Sequence, residues 1–164
     1  MKIKTLIFSL VLKIVFITHA FGFGIGAQFN ANADEYFSTG IALAISPSHL
    51  THLTFYWDFG SNTTIGFTAD FIPLRAPFVS SDAGSLNFTL GPGFFIDLLL
   101  NDESEDSNFR AGLRLPVGVN FMTGRGVFEI YSNVAPSFRV RAVPSFGIEY
   151  SFFTIALGAR FWLR

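Results

Sequence analysis

The residues best equipped for chemistry in this chain are few and close together. His49 and His52 lie three positions apart, Ser46 and Ser48 sit in the same short stretch, and Asp58 follows six residues after His52. A histidine between a hydroxyl and a carboxylate is the arrangement that activates a serine for acyl transfer. Here Ser46-Pro47-Ser48 is also a turn, and turn chemistry brings serines together without any catalytic reason. Two histidines without Cys, and without a carboxylate at ligand spacing, make a weak metal signal. Gly22-x-Gly24-x-Gly26 has the spacing of a phosphate loop, but it alternates within a strand and opens no helix, so its glycines read as room for bulky neighbours. On these grounds the sequence assigns no catalytic residue, no metal and no cofactor, and the protein is read as a non-enzyme.

The other residues that carry chemistry are charges. They recur on the polar side of strands that alternate with a period of two. Phe109 to Phe121, FRAGLRLPVGVNF, shows the pattern most clearly. Its odd positions (Phe109, Ala111, Leu113, Leu115, Val117, Val119, Phe121) are all apolar, and its even positions (Arg110, Gly112, Arg114, Pro116, Gly118, Asn120) include no large hydrophobe. A soluble sheet would dress its second face with Lys and Glu. Gly, Asn and scattered Arg suit a crowded interior instead. Thirteen residues at ~3.3 Å each, tilted by ~40°, cross the ~25 Å apolar band of a membrane barrel.

The same alternation runs through the chain. Strands are predicted at 21–31, 36–45, 50–59, 63–72, 85–100, 109–121 and 127–138, with a last one ending in Phe153 to Leu163 against Thr154, Ala156, Gly158, Arg160 and Trp162. Eight strands with one apolar face each, joined by short turns, predict an all-β fold: an eight-stranded antiparallel up-and-down transmembrane β-barrel. An even count puts both termini on one side. Three features strain the prediction. Pro92, Pro116 and Pro136 fall inside strands, where a closed barrel offers no edge to excuse them, and bulges are expected there. Residues 73–84 read as a long irregular connection on the side where turns are normally short. Residues 139–147 read either as a loop or as a hairpin beyond the membrane.

Composition agrees with a membrane environment. Of 164 residues, 50% are hydrophobic and only 14% charged; there are 22 Phe and no Cys. All three Lys lie in the first thirteen residues; after residue 20, eight Arg stand against twelve Asp and Glu, a formal charge of −4, which leaves no basic footprint for nucleic acid. Residues 1–20 have a basic start, an apolar middle split by Lys13, and Ala20 at the end. That is the layout of a cleaved secretory signal peptide and not of a spanning helix. Residues 21–164 then form a single barrel domain. A lipocalin or β-sandwich would also alternate. Against it stand the Gly, Thr, Ser and Asn of the polar faces, the missing Lys, and aromatics near strand ends (Phe21, Phe37, Trp57, Phe59, Phe109, Phe121, Phe161, Trp162) placed as interfacial girdles are.

With the strands placed, the chain resembles the small eight-stranded outer-membrane barrels of the OmpA transmembrane and OmpX kind. RLPVGVNF (114–121), FEIYSNVAPSF (128–138) and GARFW (158–162) are similar to a spirochaete-type family of small barrels. Gly158, Phe161 and Leu163 also resemble the C-terminal assembly signal of such barrels, departing from it at Ala156 and in the extra Arg164. The resemblance implies the bacterial outer membrane as location and the barrel assembly machinery as partner. It carries no activity.

Inside such a barrel Asp58, Asp70, Asp97 and Glu129 would share the lumen with Arg110, Arg114 and Arg160, and with Glu149 if the last strand starts early. Unpaired charges there are very costly, so bidentate Arg–carboxylate pairs are predicted. The expected function is a structural and interaction barrel with a filled, charge-paired lumen. A narrow channel for small solutes, with pairs that swap as a gate, is the alternative, and a lipid-modifying enzyme using His52 the remote one. Surface contacts are expected from Asp102, Glu103, Glu105 and Asp106 of the acidic loop, with Arg139 and Arg141 beside them as a clamp for lipid phosphates or an acidic partner. The partners expected are outer-membrane lipid and an extracellular host or envelope protein, with the barrel itself a monomer.

Overall fold

The computed structural model describes residues 22–33, 38–59, 63–100, 108–141 and 147–163; the predicted leader and the acidic loop lie outside the described residues. Eleven strands form one antiparallel sheet: β1 (Phe23–Ala33), β2 (Ser38–Ser48), β3 (Thr51–Phe59), β4 (Thr63–Phe71), β5 (Leu74–Ser81), β6 (Gly84–Leu90), β7 (Gly93–Leu100), β8 (Asn108–Arg114), β9 (Val117–Thr123), β10 (Phe128–Arg141) and β11 (Gly147–Leu163). Eight of them, β1-β2-β3-β4-β7-β8-β10-β11, form a ring that closes where β11 pairs with both β10 and β1. The other three are continuations: β5 prolongs β4, β6 leads into β7, and β9 prolongs β8. The fold is therefore the predicted eight-stave barrel, three of whose staves are interrupted once.

The stagger of the ring can be read from the pairing. From Phe128, successive partners are Phe161, Ile25, Ile45, Leu53, Ala69, Phe94 and Leu113, and the path returns to β10 at Phe138, ten residues further on. Eight strands with that stagger are tilted by ~41° and enclose a backbone radius of ~8 Å, narrow enough for side chains alone to fill.

Polarity is inverted relative to a soluble protein. Ile25, Phe29, Leu43, Phe55, Leu113 and Leu157 stand outward and exposed, while Asn30, Thr54, Asp58, Asn120, Glu129 and Arg160 are buried within. The predicted girdle residues Trp57, Phe59, Phe109, Phe121 and Phe161 face outward. Trp162 does not; it is buried in the lumen, as its place in the alternation requires.

The interruptions are made by proline. Strands stop at Ile72-Pro73, Gly91-Pro92 and Leu115-Pro116, and Pro136 sits next to a register shift between Ser137 and Phe138. The four prolines belong to adjacent staves and share a diagonal seam. The amide of Phe71 donates to Pro92 O at 2.8 Å, Gly91 to Pro116 O at 3.2 Å, and Leu115 to Pro136 O at 3.0 Å. Pro92, Pro116 and Pro136 each lack the N–H and keep the carbonyl in the ladder. Pro92 and Pro116 thus break their strands, and the expected bulge lies beside Pro136 alone.

The connection at 73–84 corrects the sequence reading. It is the strand β5 followed by a two-residue turn, Asp82-Ala83, into β6. Two prolines within twelve residues hid its alternation. Of the segment 139–147, residues 142–146 lie outside the described residues; β10 runs to Arg141 and β11 starts at Gly147, so both project beyond the β1–β2 end of the wall.

Candidate functional site: the charged lumen

Three tiers of polar contacts fill the barrel. Nearest the loops, Arg110 Nε lies 2.6 Å from Asp97 Oδ1, and Tyr56 donates its hydroxyl to Asp97 Oδ2 at 3.0 Å. Asp58 accepts a hydrogen bond from Asn32. Midway, Arg114 Nε stands 3.2 Å from Asp70 Oδ1, Gln28 donates to Asn30 at 2.6 Å, and Tyr131 donates to Gln28 Oε1 at 2.8 Å. Both tyrosines need glycine opposite them. A Cβ at Gly66 would overlap the Tyr56 ring, and one at Gly158 the Tyr131 ring.

Toward the termini the network converges on Glu129, which is 0% exposed. Its carboxylate takes the Trp162 indole N–H at 3.0 Å and a hydrogen bond from Asn120, with Arg75 and Arg160 each at 3.6 Å. Asn120 in turn receives Asn87 at 3.1 Å. Arg160 also donates to Ser46 Oγ at 2.8 Å, approaches His52 Nδ1 at 3.2 Å and lies over the Tyr131 ring at 3.9 Å. A guanidinium has no acceptor, so His52 Nδ1 carries the lone pair in this contact. Arg75 donates to His49 O at 3.2 Å, and the His49 ring packs against Trp162 at 4.0 Å.

The structure thus brings all seven predicted lumen charges, Asp58, Asp70, Asp97, Arg110, Arg114, Glu129 and Arg160, into one interior. The close ion-pair contacts run from one nitrogen to one oxygen and are not the expected bidentate forks. Asp58 is held by an amide, and no arginine pairs with it among the described contacts. Ser46 Oγ and His52 Nδ1 turn to Arg160 and not to each other, and His52 Nε2 is buried without a hydrogen-bond partner among the described residues.

Two arginines change place. Arg139, expected at the surface, is 3% exposed and points inward, because it continues the odd-numbered face of β10 from Glu129. Arg75, read as loop, is on β5 and reaches Glu129. Arg141 pairs through its backbone with Arg110 and Gly147. Asp102, Glu103, Glu105 and Asp106 lie outside the described residues, as does the side chain of Glu149. Gly158 faces the lumen, while Phe161 and Leu163 face outward.

Two small cavities lie among the described residues of the lumen. One cavity of about 10 Å³ is lined by Gln28, Thr54, Tyr56 and Arg114 among others, and a second of about 20 Å³ by His52, Asp70, Glu129 and Tyr131 among others. Each is about the size of one water. Arg114 lines the first and Asp70 the second, so their ion pair stands between the two, as does the Tyr131–Gln28 bond.

A closed ring of eight antiparallel strands, apolar outside and lined with charge inside, is a small eight-stranded β-barrel with the polarity of a membrane barrel. No protein-family profile and no curated protein sequence matches the chain. Among solved structures it is similar to the N-terminal β-barrel domain of Pseudomonas aeruginosa OprF (TM-score 0.41, 11% identity, 85% of this chain and 97% of that one). It is similar also to Ail, the attachment invasion locus protein of Yersinia pestis (TM-score 0.36, 13% identity, 87% of this chain and 97% of that one).

Proposed function

We propose that the chain is a structural and interaction barrel of the bacterial outer membrane, exported by a leader of residues 1–20 and inserted by the barrel assembly machinery as a monomer. Its termini and the β2–β3, β5–β6 and β9–β10 turns lie on the periplasmic side. The segments 34–37, 60–62, 101–107 and 142–146 lie outside the cell. There Asp102, Glu103, Glu105 and Asp106 offer an acidic contact to a basic envelope or host partner. The lumen is a strut, not a conduit, and the protein is not an enzyme.

The observation that supports this reading most is the division of the lumen. The Arg114–Asp70 pair and the Tyr131–Gln28 bond separate two cavities that each hold about one water. An ion moving through would have to break a buried pair at every tier, and each breakage exposes an uncompensated charge. Planar-bilayer recording of the refolded protein tests it. Silent membranes at moderate voltage are expected, and stable discrete openings of the native chain would replace this function by that of a narrow channel.

A further inference from the structure

The cavity on the Glu129 side of the Arg114–Asp70 pair gathers polar groups whose hydrogen bonds are unfinished. Its volume is about 20 Å³, and Ile72 and Pro116, where two staves break, are part of its lining. Of its polar lining, Asn120, Glu129 and the Tyr131 hydroxyl already have partners. Three atoms do not. His52 Nε2, Asp70 Oδ1 and Asn133 Oδ1 are buried and make no hydrogen bond among the described residues. His52 and Asp70 stand opposite each other across the β3–β4 ladder, and Asn133 follows Glu129 and Tyr131 on the inner face of β10. Asp70 Oδ1 is ion-paired with Arg114 Nε at 3.2 Å, yet the two atoms do not meet along a hydrogen-bond direction. Buried polar atoms left without a partner are costly, so three around one cavity call for an occupant.

The chemistry of the three atoms selects that occupant. His52 Nδ1 offers its lone pair to Arg160, so in the neutral ring the proton sits on Nε2. The cavity then presents one donor and two acceptors. A cation is opposed by that N–H and by the guanidiniums of Arg75, Arg114 and Arg160, three positive charges against the two carboxylates Asp70 and Glu129. An anion is opposed by the oxygens of Asp70 and Asn133. A neutral molecule that accepts once and donates twice satisfies all three, and the volume exceeds the ~10–15 Å³ that one water needs.

We infer that this cavity is a binding site for a single ordered water, which accepts from His52 Nε2–H and donates to Asp70 Oδ1 and Asn133 Oδ1. The water joins β3, β4 and β10 across the lumen. It also fixes the tautomer of His52. With the proton held on Nε2, Nδ1 stays bare, and Arg160 finds an acceptor there as well as at Ser46 and Glu129. The other tautomer would set an N–H against the guanidinium. The smaller cavity carries no such set, since Arg114 Nε is the one unpartnered buried side-chain atom among its described lining. The inference rests on the geometry of the lumen and not on where the barrel sits in the cell.

Heteronuclear NMR of the refolded mature chain in micelles, isotope-labelled at histidine, tests it at a pH where the ring is neutral. The expected spectrum shows Nε2 of His52 protonated and Nδ1 bare. It also shows a rotating-frame cross-peak from the Nε2 proton to water, of dipolar and not exchange sign, as for a molecule that tumbles with the barrel. Asn133→Leu removes one acceptor and fills the space, and the cross-peak is lost while the heat-modifiable folded band persists. A parent chain with the proton on Nδ1, or with an Nε2 proton that gives no such cross-peak, overturns the inference whether or not the variant folds. An unchanged cross-peak in folded Asn133→Leu also overturns it. Titration with sodium chloride leaves the ring nitrogens unshifted if water is the occupant. A saturable shift that sodium sulfate reproduces gives the cavity to the cation, one that choline chloride reproduces gives it to chloride, and either replaces the water.

Discussion

Replacing Glu129 by glutamine removes one charge and almost no volume. Glu129 is fully buried and is the carboxylate within 3.6 Å of both Arg75 and Arg160, and it accepts the Trp162 indole and the Asn120 amide as well. In the Glu129→Gln variant two guanidiniums stay in the lumen without their anion, and the new amide turns a donor toward groups that are themselves donors. Removing one partner of a buried ion pair costs about 3–5 kcal/mol, because the charge left behind keeps its full desolvation cost. For a domain of this size each kcal/mol is worth about 2–4 °C, so the melting temperature should fall by about 6–20 °C. The assay is thermal or urea unfolding of the refolded barrel in one fixed detergent, followed by far-UV dichroism and by Trp fluorescence. The second signal reports locally, since Trp162 loses its carboxylate partner. Combining Glu129→Gln with Arg160→Met takes a cation away as well, and the double variant should be less destabilised than the sum of the singles by at least about 1 kcal/mol. A Glu129→Gln barrel within 1 kcal/mol of the parent would refute the idea that this carboxylate anchors the lower lumen.

Arg114→Ala removes the mid-lumen pair with Asp70 and should lower stability by about 2–4 kcal/mol in the same unfolding assay. The same variant joins the two small cavities across the missing guanidinium, so bilayer recordings should show brief openings that the parent lacks, and equal silence of both would disconnect that pair from the barrier. Leu157→Arg puts a charge on the lipid face in the middle of β11, where it should cost about 2–4 kcal/mol of insertion free energy in vesicles, against about 0–1 for Leu163→Arg at the strand end. Gly158→Val drives two methyls into the Tyr131 ring and should halve or worse the refolding yield read as heat-modifiable gel mobility; a yield like that of the parent would mean the ring can move aside.

Alternation made most of the wall legible. The odd face of Phe109 to Phe121 named its lipid side residue by residue, and the even face named Arg110, Arg114 and Asn120 as interior. What escaped was wherever proline broke the count. Arg75 was hidden because Pro73 and Pro77 flank it, so a strand with only a few countable positions passed for a loop. Arg139 was legible in principle: it follows Glu129, Tyr131, Asn133, Ala135 and Ser137 at intervals of two. The sequence reading stopped that strand at Phe138 and left 139–147 as either a loop or a hairpin beyond the membrane. The pairing itself was beyond the sequence. Nothing local says that Glu129 on β10 would meet Arg160 on β11 and also Arg75 from across the lumen, since that depends on a ten-residue stagger accumulated around the whole ring.

The proline seam divides the wall mechanically. Above it every stave is tied to two neighbours by a full ladder. Along it, four staves in a row present a residue that can accept but never donate, so the sheet is perforated on one diagonal line. The skirt formed by β5, β6 and β9 therefore hangs from the upper cylinder by the three bonds of the seam, and what keeps it in line is the β9–β10 ladder, because β10 alone of these four staves crosses the seam unbroken.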